Sequence, residues 1–76
     1  MRDLVLWLAR QLVEKKDAVK VESIERDRST VLELTVAEED LGRVIGRGGR
    51  TAKALRTVLD IAARRQGRRV VLDILD

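Results

Sequence analysis

The 76-residue sequence contains no cysteine, histidine, proline, tyrosine or phenylalanine, and Trp7 is its only aromatic residue. Each absence excludes something. Without Cys or His there is no disulfide framework, CxxC redox pair, zinc ribbon, Ser-His couple or Cys-His couple. Zero cysteine agrees with a reducing cytosol. No apolar run approaches the roughly 20 residues of a membrane span. Asp3 interrupts the first apolar stretch and no small-residue cleavage site follows, so neither a signal peptide nor membrane insertion is expected. No base, nucleophile and orienting group occur together, so the chain reads as a non-enzyme with no cofactor and no metal.

What is present is aliphatic and charged. Hydrophobic residues make up 45% of the chain, mostly Val, Leu, Ile and Ala, which suffices for a small core despite 38% charged residues. The length fits one domain, residues 1–76, and not two. So small an aliphatic core is marginal, and a partner that buried more surface would stabilise it.

The net charge of +3 conceals an asymmetry. Residues 1–42 hold 7 basic and 10 acidic side chains, giving −3, whereas residues 43–76 hold 9 basic and 3 acidic, giving +6. Arg43, Arg47, Arg50, Lys53 and Arg56 follow one another with no acid between them. Such a sign change within one domain suggests a face for a polyanion. The arginines further along, Arg56, Arg64, Arg65, Arg68 and Arg69, read as solvated charges.

Apolar spacing sets the expected elements. Residues 2–16 read as a helix, with Leu4, Val5, Leu8, Ala9 and Leu12 as its stripe. Leu6, Trp7 and Val13 make this helix greasier than one buried face requires and are candidates for a dimer or partner contact. Residues 18–26 and 30–37 read as two strands around a polar tip. Ile24 falls out of phase with Val19 and Val21, which suggests a bulge or an early strand end. Residues 37–45 read as a short helix whose Glu38, Glu39 and Asp40 are solvated capping charges rather than a metal site. A longer helix begins near Arg50, with Ala52, Leu55, Val58, Leu59 and Ala62 on one face and Gly67 as its stop. The dense run Val70 to Leu75 reads as a strand covered on both faces or lying centrally. The fold class is therefore α+β, in the order α-β-β-α-α-β. Strand, two helices and strand form a crossover, so the last strand should run parallel to the second, with the helices on one face of a three-stranded mixed sheet.

Gly46-Arg47-Gly48-Gly49 holds three glycines in four residues, directly before a helix. Glycine costs conformational entropy, so three together point to a backbone shape or close approach that Cβ atoms would forbid. Free N–H groups at a helix start favour an anion, and Arg43, Arg47 and Arg50 add guanidinium groups suited to phosphate. A P-loop requires a Gly-Lys pair, and none exists. A dinucleotide fingerprint requires a small residue at Thr51 and a preceding strand, and neither is expected.

Val44-Ile45-Gly46-Arg47-Gly48-Gly49-Arg50-Thr51 does resemble the signature of the KH domain, whose GXXG loop clamps about four nucleotides of a single strand. Here Gly46 and Gly49 stand as the fixed glycines. The element order is similar to the type II, prokaryotic arrangement over essentially the whole chain, with a core at 30–75 and an N-terminal extension at 1–26. The resemblance implies a single type II KH domain and a cytoplasmic bacterial RNA-binding protein acting as RNA chaperone or post-transcriptional regulator. It also implies self-association or pairing with a larger KH-containing partner, and links to cell shape and division. By the same resemblance, Gly46, Arg47, Gly48, Gly49, Arg50, Arg43, Ile45 and Lys53 form the nucleic-acid site. Lacking aromatics for base stacking, the groove should bind single-stranded RNA weakly and tolerantly. Two other readings compete: a helix-turn-helix for duplex DNA, and a protein-interaction module dimerising through the first helix.

Overall fold

Alternation in the central strand decides the architecture. A computed structural model describes residues 1–76. Its principal elements are α1 (Arg2–Leu12), β1 (Lys20–Glu25), β2 (Ser29–Thr35), α2 (Leu41–Ile45), α3 (Arg50–Arg65) and β3 (Arg69–Ile74). Single 3₁₀ turns occur at Lys16–Ala18, Glu38–Asp40 and Arg47–Gly49. Leu32 and Leu34 of β2 point to the helices and are fully buried. Around them gather Val5 and Ala9 of α1, Val44 of α2, Leu55, Leu59 and Ala63 of α3, and Val70 and Leu72 of β3. Each fully buried side chain of this kind contributes about 1.5–3 kcal/mol, and there are few of them.

The sheet order is β1-β2-β3, with β1 antiparallel and β3 parallel to β2. The fold is thus α+β with a three-stranded mixed sheet and the order α-β-β-α-α-β. The helices cover one face and leave the other open. Across that open face lie an apolar row, Ile24, Val31 and Val71, and an acidic row, Glu22, Glu33 and Asp73.

Several local expectations are corrected. The first helix does not run through residues 13–16: α1 stops at Leu12 and Val13 turns extended, at φ −101° and ψ 159°. A side chain from another element captures the backbone N–H groups that a longer helix would have used, as shown below. β1 contains no bulge and does not end early, since its register with β2 is continuous from Lys20–Thr35 to Glu25–Thr30. Ile24 is out of phase because it belongs to the open face, beside Val31. β3 is an edge strand covered on one face only. Its dense apolar run misleads because Val71 belongs to the open-face row. The expected single helix at 37–45 is a 3₁₀ turn followed by α2. On α3, Val58 is exposed and Ala62 only half-buried, while Ala63 joins Ala52, Leu55 and Leu59 on the buried face.

Candidate nucleic-acid interface

α2 is only five residues long, and its position depends on what holds it. Val44 plugs it into the core with no exposed surface. Ahead of it, Asp40 is only 2% exposed. Its carboxylate accepts the Glu14 N–H at 3.1 Å and the Lys15 N–H at 3.0 Å, and Arg43 Nε lies 3.4 Å away. Donation from Lys15 and Glu14, together with the Arg43 guanidinium, holds the Asp40 carboxyl below its ordinary range against the opposing effect of desolvation. Arg43 Nη2 also donates to Glu14 Oε1 at 2.7 Å. Lys15 pairs with Glu39, and their hydrogen bond raises the pKa of the lysine and lowers that of the carboxylate. The end of α1 is thereby stapled to the start of α2. Asp40 is not a solvated capping charge, because its oxygens serve the backbone that would otherwise have extended α1.

Beyond α2 the chain enters the glycine loop. Gly46 has φ 77° and ψ 169°, a region essentially closed to other residues. A Cβ there would also overlap Thr51 Oγ1 and sit 2.7 Å from its Cβ and 2.8 Å from its backbone nitrogen. Thr51 therefore acts as a buttress for the loop, a role with no signal in the sequence. Gly48 is different: it is left-handed at φ 63° and ψ 19°, with nothing near a Cβ. The Gly49 N–H closes the loop on Gly46 O at 3.1 Å.

α3 starts at Arg50 with no side-chain cap and no acid in its first turn, which leaves the positive end of its dipole open to an anion. Arg47, Arg50 and Lys53 are exposed here and pair with no carboxylate. Ile45, 37% exposed, adds an apolar side chain at the end of α2. Arg43, grouped by sequence with the loop cations, is instead engaged with Glu14 and Asp40. Between α3 and the free edge of β3 runs a shallow groove in which Arg56 Nε donates to Leu72 O at 3.3 Å.

The three residues suggested for a partner contact separate. Val13 is 4% exposed and belongs to the core, so it is unavailable. Leu6 is half-buried against the core, and Trp7 is 60% exposed. Sequence reasoning missed Ile61 of α3, which is 57% exposed beside Val58.

A parallel crossover that carries a GXXG loop between two helices, preceded by a helix and an edge strand, is the type II KH arrangement. The profile described as "KhpA/KhpB, KH domain" matches residues 2–74, and the chain belongs to that family. Curated relatives named "RNA-binding protein KhpA" agree with it over their lengths. The Halalkalibacterium halodurans protein is 49% identical over 100% of both chains. That of Aquifex aeolicus is 47% identical over 100% of this chain and 96% of its own. That of Borreliella burgdorferi is 47% identical over 97% of this chain and 90% of its own. No solved structure matches.

Proposed function

We infer that this chain, an RNA-binding KH protein, holds single-stranded RNA against the Gly46–Gly49 loop. The observation that carries the reading is the contrast within the loop region: an uncapped helix start and three unpaired cations, Arg47, Arg50 and Lys53, around a backbone with no Cβ at three positions. Phosphates lie against that backbone, and bases turn toward Ile45 and the α3–β3 groove. The open sheet face cannot share the task, because the carboxylates of Glu22, Glu33 and Asp73 repel phosphate. A duplex-DNA helix-turn-helix is disfavoured by the five-residue α2 and by Arg56, which lies along β3 rather than projecting from α3.

Residues 30–75 form the RNA-binding core in this reading, and residues 1–26 form an extension that supports α2 through the Asp40 staple. The protein works in the cytoplasm as an RNA chaperone or post-transcriptional regulator, without catalysis. It self-associates or pairs with a larger KhpB-like KH protein, using apolar surface that the fold leaves uncovered: Trp7 on α1, and Val58 with Ile61 on α3. Sedimentation of Trp7→Ala and Ile61→Glu variants shows which helix carries the contact.

The decisive variant is Arg47→Asp with Gly48→Asp. Gly48 has open space and a left-handed conformation that aspartate tolerates, so the fold survives. Two carboxylates then repel phosphate, and gel shifts with unstructured single-stranded RNA should show a loss of about tenfold or more. Unchanged binding by the folded variant contradicts the reading. Tighter binding of duplex DNA than of single-stranded RNA by the wild type contradicts it as well.

A further inference from the structure

Five arginines unused by the glycine loop gather at the opposite end of α3. Arg64 and Arg65 close the helix and Arg69 opens β3. Ser29 pairs with Arg69 in the parallel register, and the Arg26 N–H donates to Ser29 O at 2.8 Å. The β1–β2 hairpin tip, with Arg26 and Arg28, is thus brought to the same end. None of the five pairs with a carboxylate. Arg68 has a different task, since its Nη2 donates to Glu25 Oε2 at 2.7 Å and to Thr30 Oγ1 at 2.8 Å. That bond network fixes the hairpin against the α3–β3 turn, so the free arginines stand on a braced support.

From this arginine end a groove runs along α3 toward the loop, as far as Arg56. Two depressions lie between α3 and β3, of about 180 Å³ beside Arg56 and about 370 Å³ beside Arg64. They share Asp60, Arg69 and Val70 and so form one groove. Lys53, Arg56, Asp60 and Arg64 recur at intervals of three and four and share the helix flank that faces it. A helix of 16 residues is about 24 Å long, so a strand clamped at its start has room to continue along it. Asp60, at the point shared by the two depressions, keeps phosphates away from the middle and leaves them to the two ends.

We propose that Arg64 and Arg69, with the hairpin arginines beyond them, form a second phosphate-binding site for the same RNA strand. The footprint then exceeds the roughly four nucleotides that a GXXG loop clamps. The proposal rests on the RNA reading above and deepens it. A groove that leads from the arginine end along α3 toward the loop, with Lys53 on the same flank, favours RNA over an acidic protein segment as the occupant.

The test uses unstructured RNAs of two lengths, about four nucleotides to fill the loop alone and a strand about three times as long. Wild type is compared with Arg64→Glu/Arg69→Glu and with the milder Arg64→Gln/Arg69→Gln, which disturbs the helix end less. On the longer RNA, charge reversal should weaken binding about tenfold. It should also reduce the magnitude of the log–log salt slope by about 1.4, for two contacts at about 0.7 each. The short RNA should bind all three proteins alike. If neither length responds, as expected were the site kept for an acidic protein, the second site is overturned and the loop reading stands. If both lengths respond equally, the arginines act on the loop itself and the second site is again overturned. Failure of the RNA reading is read separately, from short-RNA binding by Arg47→Asp/Gly48→Asp.

Discussion

Two charged clusters flank α2, and the sequence gives little reason to tell them apart. On one side, Glu14, Lys15, Glu39, Asp40 and Arg43 satisfy one another. On the other, Arg47, Arg50 and Lys53 have no carboxylate partner, and the α3 N-terminus has no cap. Charge neutralised within the fold fixes geometry, whereas charge left without a partner at a rigid backbone is available to a ligand. Arg43 and Arg47 are four residues apart and chemically identical, yet they fall on opposite sides of this division.

The comparison can be broken most severely at Gly46. Gly46→Ala meets both a forbidden conformation and the Thr51 side chain. It should abolish RNA retention in gel shifts at concentrations where wild type binds, with about 1–3 kcal/mol of strain lowering the melting temperature. Arg47→Ala removes a free cation and nothing structural. RNA affinity should fall about tenfold, as for loss of a charged hydrogen bond, with an unchanged melting temperature by circular dichroism. Arg43→Ala should show the reverse pattern: a loss of stability of about 1 kcal/mol, small because Arg43 is half-exposed and buried Asp40 keeps its two backbone N–H donors, and RNA affinity close to wild type.

The smallest effect is a pH dependence. The Asp40 carboxyl is held below its ordinary value in the folded protein, so its stabilisation is complete above the ordinary carboxylate range. That stabilisation is lost as pH falls through the depressed value. Asp40→Asn should therefore melt below wild type at neutral pH, and the difference should shrink on acidification below the ordinary carboxylate pKa. A difference independent of pH would remove the charge of Asp40 from the staple.

The element order, the parallel crossover and the glycine loop were legible in the sequence because each rests on local periodicity or backbone chemistry. Leu32 and Leu34 announce β2 by alternation, and Gly46 to Gly49 announce a conformation that other residues avoid. The unread features are those decided by a distant partner. Nothing near Val13 says that Asp40 will end α1, and nothing in Val70 to Leu75 says that Val71 joins Ile24 and Val31 on an open face. Thr51 and the arginine end are of the same kind, since only the fold brings Thr51 against Gly46 and the hairpin tip beside Arg69.

The most direct test of RNA binding at the loop is an amide chemical-shift titration of the intact chain with unstructured single-stranded RNA. Saturable shifts should centre on Ile45 to Lys53, with little change at Glu22, Glu33 and Asp73 on the open sheet face. Shifts centred on the open face or on α1, with the loop amides unmoved, would contradict it.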